Sequence, residues 1–306
     1  MRFLSRRKFL STSAVATAGV IAGVIAGVRV GRAAEPKKIT VGAHLWVYAS
    51  KYPPVWDCTP VLEQVFADLR YANVDGVEVM HTNLFHADAV KRLGDLAQKY
   101  HLPVIGSSYS AAMWNREQHH KIEDECGRLL EKLRQLNART FGITVGNAGH
   151  QKSVDELDAQ AEILKKIRRQ CQEHGLSPNL QIMHAYEVTD GMHDLQGTLQ
   201  RIPDFPLGPD LNWLIRGGVD PAAFIRRFGP QIVYLHIRDQ YRDGKWSEAV
   251  GEGDTDFLSI KKALQEVQFD GIATIELAFP KDFSPTRELK ESWKMSRTFV
   301  QKTFGW

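Results

Sequence analysis

The chain has 306 residues, 43% of them hydrophobic and 25% charged. That is globular composition, and it excludes a disordered, fibrous or disulfide-scaffold chain. The formal charge of +3 is unevenly spread: residues 1–34 carry six basic side chains and no acid, leaving 33 basic against 36 acidic in the rest. A slightly acidic body has no electrostatic footprint for gripping a phosphate backbone, which argues against nucleic acid as a partner.

The chain opens with Ser5-Arg6-Arg7-Lys8-Phe9-Leu10, then an uncharged Ala-, Gly- and Val-rich stretch from Ser11 to Val28, then Gly31-Arg32-Ala33-Ala34. A charged start, a modestly apolar middle and a small-residue end are the parts of a secretory signal. The paired arginines resemble the twin-arginine export signal, which implies a leader over 1–34, a mature domain over 35–306 and a periplasmic destination. The apolar stretch is short and weakly hydrophobic for a span, so no membrane anchor is expected after cleavage. Cys58, Cys126 and Cys171 show no C-x-x-C spacing and read as buried thiols rather than a zinc cluster.

From Ile39 onward, short β-branched runs alternate with amphipathic stretches. The runs predict strands over Ile39–Val47, Gly76–Met80, Leu102–Gly106, Thr140–Val145, Leu180–His184, Leu207–Leu211, Ile232–Ile237 and Ala273–Leu277. Helices are expected over Pro60–Tyr71, Ala87–Lys99, Lys121–Leu136, Val154–Glu173, Leu195–Ile202, Pro221–Phe228, Phe257–Val267 and Thr286–Thr303. In Val154–Glu173, for example, Leu157, Ala161, Leu164 and Ile167 fall on one helical face. Strands separated by helices pair in parallel through right-handed crossovers, and eight such units predict a single closed (β/α)8 barrel. A doubly wound sheet would put a Gly-rich phosphate loop after its first strand, and His44-Leu45-Trp46-Val47-Tyr48 is not one.

Barrel enzymes keep their chemistry at the C-terminal ends of the strands. There the last four strands carry His184, Asp210, His236 and Glu276. Mixed imidazole and carboxylate donors suit a divalent Mn, Co, Fe or Zn ion. Taken singly, each has a plainer role, such as a hydrogen-bonded histidine or a helix-capping aspartate.

Over Ile39 to Phe304 the chain resembles the sugar phosphate isomerase/epimerase family with the xylose isomerase-like TIM barrel, relatives of the ketose 3-epimerases. The resemblance lies in Asp210-Leu-Asn-Trp-Leu-Ile-Arg-Gly-Gly-Val-Asp-Pro221, in His236-Ile-Arg-Asp239 followed by Gly251-Glu-Gly-Asp254, and in Val77-Glu78-Val79. It implies that Asp210, His236 and Glu276 are metal ligands. The family's strand-five glutamate has no counterpart: one register sets Ile182 against it, another His184, with Glu187 in reserve. Trp213 stands where the family commonly has histidine.

The expected chemistry is removal of a proton beside a carbonyl, by Glu276 with His184 as a second proton-handling group, through a metal-stabilised enediolate. Arg238, Trp46, Trp213, His44 and Glu187 are expected to bind a carbohydrate; Tyr48, Trp114, Tyr186, Glu78, His81 and Lys245 are further candidates. Export favours an unphosphorylated sugar or keto-sugar. An isomerase or epimerase is the first reading, with a lyase acting on 3-keto-glycosides or a non-catalytic carbohydrate-binding barrel as alternatives. An endonuclease acting at abasic DNA sites lacks the basic face it would need. The sequence leaves a homo-oligomer open.

Overall fold

A computed structural model describes residues 38–280 and 282–306; the leader expected over 1–34 lies outside them. The strands are β1 (Thr40–His44), β2 (Gly76–Met80), β3 (Val104–Ser110), β4 (Thr140–Thr144), β5 (Ser177–Ile182), β6 (Leu207–Pro209), β7 (Tyr234–Ile237) and β8 (Ile272–Glu276). They form one all-parallel sheet in the order β6-β5-β4-β3-β2-β1-β8-β7. Parallel bridges Leu207–Ile232 and Asp210–His236 close it between β6 and β7. The expected barrel is therefore what forms, with a seam lighter in hydrogen bonds than the other strand pairs.

The main helices cover Leu62–Ala72, Ala89–Tyr100, His119–Gln135, Val154–Glu173, Thr189–Arg201, Pro221–Phe228, Phe257–Glu266 and Leu289–Phe304. Gly76–Met80, Val154–Glu173 and Pro221–Phe228 match the sequence reading residue for residue. For the last two, local caps explain the match. Ser153 and Glu156 close a capping box, and Asp220 caps Ala223 just before Pro221. The first strand stops at His44 rather than Val47, because Trp46–Ala49 coils into one helical turn. Likewise β5 ends at Ile182, and His184 begins a 3-10 turn over Ala185–Glu187. The fifth crossover helix starts six residues earlier than expected, across a left-handed kink at Asp190, Gly191 and Met192.

Alternate strand residues face the barrel axis. That inward series includes Gly42 and His44, Glu78, Ser108, Gly142, Asn179 and Gln181, Gly208, Tyr234 and His236, and Thr274 and Glu276. The outward series, such as Val77, Val79, Ile143 and Ile182, packs under the helices. Two inward glycines make room for long polar neighbours. A Cβ at Gly142 would sit 2.1 Å from Gln181 Nε2, and one at Gly208 would sit 2.1 Å from Asn179 Oδ1. The barrel interior is thus partly polar, which is unusual enough to need partners for every group. Among the described residues, no helix is long and apolar enough to cross a membrane.

Candidate active site

The deeper polar layer is built on Glu78. Its Oε1 accepts from Gln181 Nε2 at 2.9 Å, and its Oε2 accepts from the Tyr234 hydroxyl at 2.7 Å and lies 2.8 Å from His236 Nε2. Burial alone would raise the Glu78 pKa, but the facing charges of His236 and His44 bring it down to about 2. Burial pushes the His236 imidazole down, and Glu78 more than reverses that, so its pKa is raised. His236 Nδ1 is buried without a hydrogen-bond partner.

One layer higher stands Glu276, paired in register with His44 of β1. Glu276 Oε1 lies 3.1 Å from His44 Nδ1 and also meets the Arg238 guanidinium. Glu276 Oε2 is buried with no hydrogen-bond partner. Burial opposes ionisation here too. The adjacent Arg238 and His44 outweigh it and hold the carboxyl well below the ordinary range. His44 Nε2 is steadied by Ser108 Oγ at 3.1 Å. Arg238 reaches sideways as well, donating from Nε to Asp210 Oδ2 at 2.6 Å. Asp210 Oδ1 accepts the backbone N–H groups of Asn212 and Trp213, capping the short helix Leu211–Arg216.

Above this floor opens a cleft of about 460 Å³, lined by His44, Glu276 and Arg238 below and by aromatic walls. That is ample for a small ligand. Trp46 and Trp56 sit with ring centres 5.4 Å apart, and Trp213 and Trp246 lie 5.7 Å apart. Arg216 holds Trp246 with its guanidinium carbon 3.5 Å from the ring centre. Tyr109, His81, His184 and Phe279 complete the wall. Arg238 is the one Lys or Arg among the lining residues.

Of the residues singled out in the sequence, Glu276, His184, Arg238, Trp46, Trp213, His44 and His81 come together around the cleft. Asp210 and His236 are fully buried and are not among the lining residues. Glu187 does not reach the cleft: its Oε2 accepts the His184 backbone N–H at 2.8 Å, so its carboxylate caps a turn. It is corrected from ligand and substrate contact to a structural acid, whose pKa burial pushes up to about 8. Tyr48 is buried against Trp293 and donates to Asp68, and Lys245 pairs with Asp243 on the surface. Trp114 packs on His150, and Tyr186 stacks on His184. None of these four lines the cleft.

The proposed ligand set does not fit a divalent ion. His184 stands in the aromatic wall, against Tyr186 and Trp213. Ile182 faces outward into the apolar core, and the next residue, level with Asp210, is Met183. Asp210 and Glu276 are bridged by a permanent cation, Arg238, and His236 Nε2 is turned to Glu78. Among the described residues no group of three or more His, Cys, Asp or Glu could hold a metal ion. The strand-end residues that suggested a metal site are gathered, but around a guanidinium.

Sequence reasoning missed Ser108, Gln181, Trp56, Trp246 and Phe279 as site residues. Ser108 and Gln181 are inward positions of β3 and β5, so strand alternation would have pointed to them. Trp56, Trp246 and Phe279 come from loops, and nothing local marks them.

The solved structures that resemble this fold include the D-allulose 3-epimerase of Methylomonas sp. in complex with D-allulose. The TM-score is 0.70 at 16% identity, covering 88% of this chain and 98% of that one. A sugar phosphate isomerase/epimerase from Parabacteroides distasonis gives 0.68 at 15% identity, covering 88% and 95%. The 3-keto-D-glucoside 4-epimerase of E. coli gives 0.64 at 14%, covering 85% and 100%. At such identities the likeness is one of fold. No curated protein matches this chain. The family model described as the xylose isomerase-like TIM barrel matches residues 66–299, most of the barrel from the first crossover helix to the last. The chain therefore belongs to the xylose isomerase-like TIM-barrel family.

Proposed function

We propose that this protein is an isomerase or epimerase of an unphosphorylated sugar or keto-sugar, acting by proton removal beside a carbonyl. The observation that carries the reading is Glu276: an ionised, buried carboxylate among the cleft-lining residues, with one oxygen held by His44 and Arg238 and the other without a hydrogen bond, 3.8 Å from His236 Nε2. A carboxylate so held is a positioned base. As it takes the proton, the C–H electron pair becomes the new C=C bond and the carbonyl π pair moves onto oxygen. Arg238 is the cationic donor we assign to that oxygen, and a fixed charge among aromatic walls stabilises it. Returning the proton to the neighbouring carbon gives isomerisation; returning it to the opposite face of the same carbon gives epimerisation. His184 lines the same cleft, and burial followed by the Arg238 charge lowers its pKa. It is therefore neutral near pH 7 and able to accept the substrate hydroxyl proton that isomerisation must move from one oxygen to the next.

The walls support a neutral carbohydrate. Stacking on Trp46 and Trp213 suits sugar faces. A phosphate would want its own cation or an N–H cradle, and the one guanidinium in the lining is already shared by two carboxylates. Two separate aromatic pairs favour a substrate with more than one ring, which keeps elimination from a 3-keto-glycoside as the second reading.

NMR in D₂O with the purified protein and a panel of ketoses and 3-keto-glycosides tests both. Deuterium entering one carbon, and lost in Glu276→Gln, is the expected result, and the products separate epimerase from lyase. Full exchange in Glu276→Gln would refute the assignment of the base. Tight sugar binding with no exchange would favour a carbohydrate-binding barrel.

A further inference from the structure

We infer that the Arg238 guanidinium occupies the cation position of this barrel, so that the charge a divalent ion would bring is carried by the chain itself. This goes beyond the reading of the cleft as a proton-abstraction site and does not depend on it. Arg238 Nε donates to Asp210 Oδ2 at 2.6 Å while Nη2 meets Glu276 Oε1, so one planar group spans the ends of β6 and β8. It is 4% exposed, and a guanidinium stays protonated at every working pH. Two buried carboxylates need compensating charge, and removing it is costly. Here the compensation is already present, and an added dication would meet a fixed positive charge at contact distance.

The donor set agrees. Asp210 Oδ1 is taken by two backbone N–H groups, and His236 Nε2 is taken by Glu78. On β5 the inward Gln181 and the following Met183 offer no anion beside Asp210. The guanidinium holds the oxygens an ion would use: without it, Asp210 Oδ2 and Glu276 Oε1 are released, and His44 Nδ1 stands 3.1 Å from Glu276 Oε1. A guanidinium also differs from an ion in what it offers substrate: directional N–H donors in a plane, two of its five already committed. Chelators cannot remove it.

Electron paramagnetic resonance and equilibrium dialysis with Mn²⁺ test this on the full chain, comparing wild type with R238A and R238Q. Wild type is expected to leave added Mn²⁺ free through the micromolar range. Each variant is expected to take up one ion per chain, at least about tenfold tighter than wild type, a gain of roughly 1.4 kcal/mol. Stoichiometric Mn²⁺ binding by wild type at micromolar concentration would overturn the inference, and that arm is decisive even where a variant does not fold. Folded variants, confirmed by near-ultraviolet dichroism, that bind no more Mn²⁺ than wild type would also overturn it. The D₂O exchange experiment reads the sugar chemistry separately: no exchange, together with the expected Mn²⁺ results, would remove the enzymatic reading and leave this one standing.

Discussion

Glu276 illustrates how a residue's surroundings set its task. Its carboxyl lies at the bottom of a cleft where burial favours the neutral acid, yet Arg238 and His44 keep it ionised. Glu276→Gln retains shape and removes the basic oxygen, so C–H exchange is expected to fall by about 10²–10⁴-fold in protein whose fold is confirmed by circular dichroism. His184 sets the pH profile. Its pKa is lowered from 6.5, first by burial and then by the Arg238 charge, and the neutral imidazole is lost as pH falls through that lowered value. The acid limb of kcat/KM is therefore expected below pH 6.5, and to vanish in His184→Asn.

Glu187 titrates in the opposite sense. Burial raises its pKa from 4.5 to about 8, so the folded state holds a proton that the unfolded chain releases, and stability is lost as pH rises from 4.5 toward 8. Glu187→Gln keeps an acceptor for the His184 N–H and removes that loss. The variant is expected to match wild type near pH 5 and to be more stable near pH 8, by up to a few kcal/mol, read by thermal melts at both values.

Among the elements, the loop from Gln240 to Asp256 depends on Asp239. That carboxylate accepts the backbone N–H groups of Gln240, Gly251, Gly253 and Thr255. Gly253 must lack a side chain, since a Cβ there would lie 2.4 Å from Asp239 Oδ1. The loop carries Trp246, one wall of the cleft. Asp239→Ala is expected to cost about 3 kcal/mol and to raise KM more than it lowers kcat, because the wall loosens while the base stays in place. The H-x-R-D and G-x-G-D motifs were visible in the sequence, but this division of labour was not. His236 belongs to the Glu78 layer, Arg238 to the cleft floor, and Asp239 with its glycines to the loop. Motif spacing records that the residues act together and is silent on which of them touch.

For the whole molecule, the bridges between β6 and β7 close the barrel, and the Arg238–Asp210 pair lies across that same seam. Closure and site therefore share one interaction, which makes the floor part of the fold's integrity. Export is a separate proposal resting on residues 1–34. Replacing Arg6 and Arg7 together with lysine is expected to retain the unprocessed chain in the cytoplasm, as read by fractionation and immunoblot. Processing and periplasmic recovery of that variant would remove the twin-arginine assignment.

The alternation of eight strands and eight helices, most element positions and the strand ends that carry polar residues are legible along the chain. Those properties are written in local periodicities and caps, which act over a few residues. The pairings arise on folding. His236 finds Glu78 from 158 residues away, and Arg238 finds Asp210 across the seam. Four strand ends bearing His, Asp, His and Glu read as a metal site because residue type suggests donors. Whether donors converge on an ion or on an arginine depends on which side chains the closed barrel turns inward at one level, and that geometry exists only once β6 and β7 have met.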